Sequence, residues 1–201
     1  MYIPKHFEEQ DKTKIISFMR QYSFAAIVNN NNGRLIATHL PFVVEERGDA
    51  IILASHFAKA NDHWKCLEQY EPIVIFSEPH AYISPVHYDH QQNVPTWNYI
   101  AVHAYGKARL IEDEPGKIAL IEKTVQCFEA AYQQQWNTVP EKFRTGMLNG
   151  IVGFEIEVTD LQAKYKLSQN RSSAEKKKII DELSKSNDSA TMAIGNYMRE
   201  L

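Results

Sequence analysis

Turn-forming residues divide the first quarter of the chain into short apolar runs. Four consecutive asparagines and Gly33 separate an apolar run at residues 24–28 from a second one at 34–40. Asparagine and glycine readily adopt the positive φ angles that tight hairpin turns require. Another turn signal, at residues 47–49, precedes the apolar run 50–55. This spacing predicts antiparallel strands joined by hairpins.

The rest of the chain continues this pattern and adds helices. Further strands are predicted at 73–76, 99–111 and 151–158, and Gly106 marks a bulge or a close approach of two backbones. Apolar residues spaced three and four apart predict a helix at 11–22. A second helix is predicted at 114–135, with Pro115 in its first turn, and shorter ones at 60–69 and 140–148. Strands and helices do not alternate regularly. We therefore expect a mainly β (α+β) fold, an antiparallel barrel or sandwich with peripheral helices.

Charge is unevenly distributed along the chain. The formal net charge is −3, which excludes a general nucleic-acid-binding protein. Residues 161–201 carry eight basic and five acidic side chains, so this tail is positive and residues 1–160 are negative. Aromatic residues are also sparser in the tail. We predict a globular domain at 1–160 and a basic helical C-terminal extension at 161–201.

Several motif-based chemistries are absent from the sequence. It contains no HExxH zinc motif, no glycine-rich phosphate loop and no GxSxG nucleophile motif. Cys66 and Cys127 lie in no metal-binding spacing. His87 and His90 fall in one predicted loop, but a zinc site needs three or four ligands of compatible geometry. We predict no metal site and assign no catalytic side chain.

Polar side chains cluster where two predicted strands end and the next helix begins: Thr38, His39, Ser55, His56, Lys59 and Asn61. Such groups beside a helix N-terminus favour a bound anion. Trp64, Trp97 and Tyr99 offer flat faces for a conjugated ring. The alternative is that the hydroxyls satisfy strand ends and Asn61 caps the helix.

Six blocks of the sequence resemble the PaiB family, described as FMN-binding negative transcriptional regulators of bacteria. They are residues 1–7 (MYIPKHF), 37–41 (ATHLP), 80–84 (HAYIS), 94–99 (VPTWNY), 150–154 (GIVGF) and 166–171 (KLSQNR). The resemblance covers nearly the whole chain, in order. It implies an antiparallel Greek-key split β-barrel of the FMN-binding type, as in pyridoxamine phosphate oxidase and small flavin reductases.

The resemblance also implies a homodimer with FMN at the subunit interface. Carried over by position, the residues of the flavin site are Thr38, His39, Leu40, Ser55, His56, Lys59, Ala60, Asn61, Trp97, Ser168, Gln169 and Asn170. Better-characterised split-barrel flavoproteins often hold the FMN phosphate with arginines. The first eight of these positions offer Lys59 and imidazoles instead.

The regulatory role implied by the family requires a basic surface that contacts DNA. The tail is predicted to form two helices, at 173–183 and 189–198, and Lys176, Lys177 and Lys178 are the candidate contacts. A lysine run is also typical of a solvated helix face. Two alternatives therefore stay open: a small FMN-dependent oxidoreductase or flavin reductase, and a split barrel that binds haem or another ligand.

The sequence also bears on location. No apolar run approaches the roughly 18 residues of a membrane helix, and residues 1–9 lack the apolar stretch of a secretion signal. We therefore expect a cytoplasmic protein with no membrane partner. The family resemblance favours a regulator over an enzyme and leaves an FMN-dependent oxidoreductase as the enzymatic alternative.

Overall fold

The computed structural model describes all residues from 1 to 201 and contains eight strands and six α-helices. The strands are β1 (Phe24–Asn31), β2 (Arg34–Pro41), β3 (Val43–Arg47), β4 (Ala50–Ala58), β5 (Ile73–Phe76), β6 (His80–Ile83), β7 (Thr96–Ile111) and β8 (Ile151–Lys166). The helices are α1 (Lys12–Gln21), α2 (Glu114–Phe128), α3 (Tyr132–Thr138), α4 (Glu141–Leu148), α5 (Ser173–Leu183) and α6 (Ser189–Arg199). Short 3-10 helices occupy Lys5–Phe7, Asp62–Cys66 and Pro85–His87. No helix combines the length and apolar character needed to cross a membrane.

The strands are hydrogen-bonded in the order β2-β1-β5-β7-β8-β4-β3, and β6 pairs with β7. The β1–β2 hairpin is antiparallel from the pair Phe24–Pro41 to the pair Asn31–Arg34. Its turn places Asn32 at φ 51° and Gly33 at φ 87°, so the predicted positive-φ turn is confirmed. Because β2 ends this order, Pro41 lies on an edge strand, where a missing N–H costs little.

The chain divides into two compact units. Unit 1 comprises Met1–Ile15, Ser77–His103 and Gln162–Leu201, and unit 2 comprises Ile16–Phe76 and Ala104–Leu161. The long strands β7 and β8 each contribute residues to both units. The domain boundary predicted after residue 160 falls within β8 and stays a prediction.

Unit 2 has an aromatic core. Phe57 stacks on Phe154 at a centroid distance of 4.9 Å, and Phe42 meets Phe154 edge-on at 6.1 Å. Phe76 adds a second edge contact to Phe42 at 6.0 Å, and all four rings are fully buried. Edge-to-face and offset arrangements are the favourable geometries for such pairs. This core supports β4 and the segment that follows it.

Unit 1 packs the helical tail against strands. Helices α5 and α6 pack on each other through the buried residues Ile179, Leu183, Ile194 and Met198, and α6 also packs against β6. Ser172 begins α5 with a capping box: its side chain accepts from the Glu175 N–H, and the Glu175 side chain accepts from the Ser172 N–H. Both predicted tail helices are confirmed.

Three predicted elements differ from the structure. The predicted helix 60–69 is a five-residue 3-10 helix. The predicted helix 114–135 is two helices, because Glu129 leaves the helical region with φ −155° and ψ 71°. The strand predicted at 151–158 continues to Lys166, since its last residues are buried and Lys164 forms a β-bridge with Glu8. That pairing partner is more than 150 residues away along the chain and leaves no local signal.

Candidate functional site

A hydrogen-bonded network joins β2 to the segment that follows β4. The Thr38 hydroxyl lies 2.9 Å from Nδ1 of His63, and the Asn61 side-chain amide donates to the same hydroxyl oxygen at 3.2 Å. Asn61 Oδ1 accepts the backbone N–H of His63 at 3.1 Å. Three residues from two separate segments of unit 2 therefore form one polar cluster.

The protonation of His63 decides what the Thr38 hydroxyl can do. His63 is only 3% exposed, and burial lowers the pKa of its imidazole, so the ring is neutral near pH 7. Its Nε2 is buried without a hydrogen-bond partner. A proton on Nε2 would leave a donor unsatisfied, which is costlier than an unsatisfied acceptor. The favoured tautomer carries its proton on Nδ1 and donates it to Thr38.

The hydroxyl proton of Thr38 is consequently not used in this cluster. The Thr38 oxygen receives hydrogen bonds from both His63 and Asn61, so its own O–H can donate to a third group. Thr38 is half-buried on the edge strand, and the donor is held in place by two neighbours. A fixed hydroxyl donor of this kind suits a carbonyl oxygen or ring nitrogen of a ligand.

The other predicted residues on β2 and the following turn are accessible. His39 is exposed and stacks on the ring of Phe24 at 6.2 Å, and Leu40 is half-buried. Lys59 and Ala60 are exposed in the turn after β4. The Lys59 backbone is fixed by bonds to Gly150 O (2.8 Å) and from the Trp64 indole N–H (3.1 Å). Its ammonium forms no ion pair, so a cation on a fixed backbone is open to an anionic ligand.

Ser55 and His56 have different surroundings. The Ser55 hydroxyl is buried and donates to Pro41 O at 2.7 Å, which ties β4 to the end of β2. His56 is half-buried, and burial lowers the pKa of its imidazole. Ser55 therefore satisfies a strand end, which is the alternative to ligand binding given by the sequence. Asn61 has a structural role as well, because it caps the 3-10 helix.

The predicted helix N-terminus near Lys59 is the feature that the structure corrects. Five residues of 3-10 helix have little aligned dipole, and Asn61 already occupies the His63 N–H. Any anion held here must rely on the Lys59 ammonium. His63, which the predicted site did not include, links the network together. The one sequence signal for this role of His63 was its position in the same short segment as Lys59, Asn61 and Trp64.

The remaining predicted residues belong to unit 1. Trp97 is 52% exposed and lies between His80 and Tyr82, each at a centroid distance of 5.8 Å. Ser168 is buried at φ 61° and exchanges hydrogen bonds with the Asn98 side chain at 3.0 and 3.1 Å. The Gln169 side chain accepts from the Leu167 N–H at 2.8 Å. Gln169 thus serves its own loop, Ser168 is tied to Asn98 on β7, and both Ser168 and Asn170 line a cavity.

Comparison with known proteins gives one family and several relatives. A family described as "Putative FMN-binding domain" matches residues 1–160. The protease synthase and sporulation protein PAI 2 of Bacillus subtilis is 40% identical over 189 residues, covering 91% of this chain and 89% of that protein.

Solved structures give the fold. The flavocytochrome Anf3 from Azotobacter vinelandii matches with a TM-score of 0.63 at 17% identity, covering 82% of this chain and 72% of that one. The FAD and haem binding protein from Mycobacterium smegmatis matches with a TM-score of 0.61 at 11% identity, covering 79% and 73%. At these identities the likeness concerns the fold alone, and the predicted antiparallel split β-barrel of the FMN-binding type is confirmed.

Proposed function

The chain belongs to the FMN-binding family that its residues 1–160 match, and we propose that it is an FMN-binding transcriptional regulator that holds the flavin at the interface of a homodimer. The PaiB-family resemblance and FMN as the cofactor are confirmed by the family match and by the PAI 2 relative. The regulatory role, the dimer and the individual flavin contacts are proposals.

The residues of unit 2 fit FMN chemically. FMN combines a conjugated ring edged with carbonyl oxygens and nitrogens, a polyhydroxyl chain and a phosphate. Thr38 supplies a fixed hydroxyl donor, Lys59 an unpaired ammonium, and His39 and Phe24 a pair of stacked rings. When bound, FMN supplies a group that accepts and releases electrons, and the protein orients it.

We assign roles to these residues as follows. Thr38 donates to an acceptor on the flavin ring edge, Asn61 and His63 hold that hydroxyl in position, and Lys59 attracts the phosphate. Leu40 lies on the same face of β2 as Thr38 and flanks the ring there, whereas His39 lies on the opposite face of this edge strand and meets the ring around the strand edge. His56 and Ala60 lie on β4 and in the turn after it. Trp97, Ser168, Gln169 and Asn170, all in unit 1, stay predictions from the family resemblance.

The Thr38 network carries this proposal and gives its test. Replacing Thr38 by valine keeps the shape of the side chain and removes the hydroxyl. We expect Thr38→Val to weaken FMN binding by up to about tenfold, the worth of one hydrogen bond of roughly 1.4 kcal/mol. FMN fluorescence quenching in a titration of purified protein measures the affinity.

Thr159→Val is the matched control. Thr159 is an exposed strand threonine of the same unit, bonded to Glu71 and Tyr105, and its loss should leave FMN affinity unchanged. Equal affinities for the wild type and both variants would contradict the assignment of Thr38. Absence of saturable FMN binding by the wild type would contradict the proposed function itself.

The regulatory part of the proposal is supported by the basic run on α5. Lys177 and Lys178 are exposed and Lys176 is half-buried. Lys178 also forms an ion pair with Asp89 at 2.7 Å. Exposed ammonium groups on one helix suit the phosphate backbone of DNA, which provides affinity rather than sequence readout.

A charge reversal tests this surface. The double variant Lys177→Glu/Lys178→Glu should weaken binding to a labelled random-sequence duplex and flatten the dependence of log K on log salt, because fewer phosphates are neutralised. Fluorescence anisotropy at several salt concentrations measures both quantities. Lys185→Glu, on an exposed lysine after α5, is the control. Equal slopes in wild type and double variant would contradict the α5 contact, and no duplex binding at low salt would favour the FMN-dependent oxidoreductase alternative.

A further inference from the structure

Unit 1 contains a cavity of about 220 Å³ whose lining carries two cationic side chains and no carboxylate. The cations are Lys166, at the end of β8, and Arg171, just before α5. Neither forms an ion pair with any aspartate or glutamate of the chain. Uncompensated cations around a small cavity are unusual, because partly buried charges are normally paired.

Arg171 is held in a fixed orientation. Its guanidinium lies over the ring of Tyr88 at 3.7 Å, and one amino group donates to Asn93 Oδ1 at 3.0 Å. A guanidinium has five N–H donors, so donors remain for a ligand. The contact with the ring and the single hydrogen bond fix the guanidinium plane. The arginine is thereby oriented to donate two parallel hydrogen bonds to an oxyanion.

Lys166 is the second cation of the cavity. Its ammonium donates to the Thr96 hydroxyl, and burial lowers the pKa of the Lys166 side chain. A carboxylate beside it would have opposed that shift, and none is there. The Lys166 ammonium therefore lacks a counter-charge in a partly desolvated place.

Two further polar groups complete the lining. Tyr88 is only 7% exposed, and its hydroxyl is buried without a hydrogen-bond partner. Asn98 is fully buried, and its bonds to Ser168 keep that residue at the cavity wall. The ring of Tyr88 also carries the Arg171 guanidinium, so this residue positions one of the two cations.

We propose that this cavity binds a phosphate group through Lys166 and Arg171. The two cations match the charge of a phosphate monoester, which is about −1.5 to −2 at pH 7. The same chemistry has two sources, the phosphate of FMN or that of a second phosphorylated small molecule. The site is argued from its own contacts and not from the proposed flavin contacts of unit 2. If its ligand is the phosphate of FMN, this cavity replaces Lys59 in the role of phosphate site; if its ligand is a second phosphorylated molecule, the role of Lys59 stands.

Inorganic phosphate is the probe for the site. We expect phosphate to raise the Tm of the wild type relative to chloride at the same ionic strength, because a ligand that binds the folded state stabilises it. Arg171→Gln and Lys166→Gln should each weaken phosphate binding by roughly tenfold or more, as expected for a charge-assisted contact. Lys185→Gln removes an exposed lysine of the same unit and should show the wild-type shift.

The comparison of shifts decides the proposal. Equal phosphate-induced shifts in wild type, Arg171→Gln and Lys166→Gln would overturn it, since that result indicates a general salt effect. The absence of any shift in the wild type would overturn it as well. If Arg171→Gln fails to fold, Arg171→Lys keeps the charge without the planar fork, and Lys166→Gln provides the second measurement.

Titrations with FMN and with riboflavin then separate the two sources. If the site holds the flavin phosphate, the wild type prefers FMN over riboflavin, and Arg171→Gln reduces that preference by roughly tenfold. If the preference is unchanged while the phosphate shift is lost, a second phosphorylated molecule is the ligand. Failure of FMN binding in the wild type would contradict the proposed function and leave the phosphate comparison as the test of this site.

Discussion

At the residue scale, three histidines share a perturbed environment. Burial lowers the pKa of His56, His63 and His103, with the N-terminal charge as a second cause at His103. All three are therefore neutral in the folded protein at pH values where the unfolded chain already takes up protons, near the ordinary value of about 6.5. Their neutrality makes the fold sensitive to mild acid.

The resulting prediction concerns stability between neutral and mildly acidic pH. A lowered folded-state pKa means that the unfolded chain binds more protons below about pH 6.5, so the free energy of unfolding falls as the pH drops. Each histidine contributes at most about 1.4 kcal/mol per pH unit. Urea unfolding at a series of pH values should show this fall, and His56→Gln should reduce its slope.

His90→Gln provides the control, because His90 is exposed and its replacement should leave the slope unchanged. Glu155 affects stability in a different, more acidic pH range. Hydrogen bonding to Arg47 lowers the pKa of its carboxyl group, with burial opposing, so its contribution is lost only as the pH falls below about 4.5. A stability that stays flat between neutral pH and pH values well below 6.5 would contradict the histidine argument.

At the element scale, β7 and β8 lie too close at Gly106 to admit a side chain. A Cβ placed on Gly106 would lie 2.3 Å from Glu157 O and 2.6 Å from Ile156 Cγ2. The close approach predicted from a glycine within a long apolar strand is therefore confirmed. Two of the three clashing atoms, the carbonyl oxygen and carbon of Glu157, belong to the backbone, so a shift of side chains alone cannot make room.

We expect Gly106→Ala to lower the free energy of unfolding by about 1–3 kcal/mol, the usual cost of overpacking. Chemical denaturation measures the change. Gly146→Ala is the matched comparison, because Gly146 lies within α4 and a Cβ there meets nothing within 4 Å. That variant should gain about 0.5–1 kcal/mol from helix propensity. Destabilisation of similar size in both variants would contradict the role of close packing.

At the scale of the whole molecule, each compact unit leaves large apolar side chains exposed. Phe24 and Leu35 are exposed in unit 2, and Tyr82, Val94 and Trp97 in unit 1. Aromatic residues are enriched at protein interfaces, and Phe24 lies beside His39 of the proposed flavin site. These features support the proposed homodimer that shares its flavin between subunits.

The shared flavin predicts that dimerisation and FMN binding are coupled. Sedimentation of the FMN-loaded protein should give a dimer at micromolar concentration. Dilution should release FMN in parallel with dissociation, because each site then loses the residues of the partner. Fluorescence of freed FMN monitors the release. A monomer that retains FMN would contradict a flavin site at the interface.

Features that depend on neighbouring residues were predictable from the amino-acid sequence. The Asn32–Gly33 turn, the strands around it, the tail helices and the Ser172 cap all follow from local φ preferences, side-chain periodicity and capping chemistry. Short blocks such as residues 166–171 were sufficient for the family, and through it for the split barrel and FMN. Gly106 was also predictable, because a glycine within an apolar strand weakens the strand unless a bulge or a neighbouring backbone requires the missing side chain.

Features that depend on distant residues emerged only from the folded chain. Pairing with the N-terminal segment extends β8 to Lys166, and the tail joins residues 1–15 and 77–103 in unit 1. Folding also brings His63 to Thr38, 25 positions away, and places Lys166 and Arg171 in the lining of the same cavity as Tyr88. Burial and hydrogen bonding stabilise such contacts between residues that are close in space. Local sequence patterns carry information only about residues that are close along the chain.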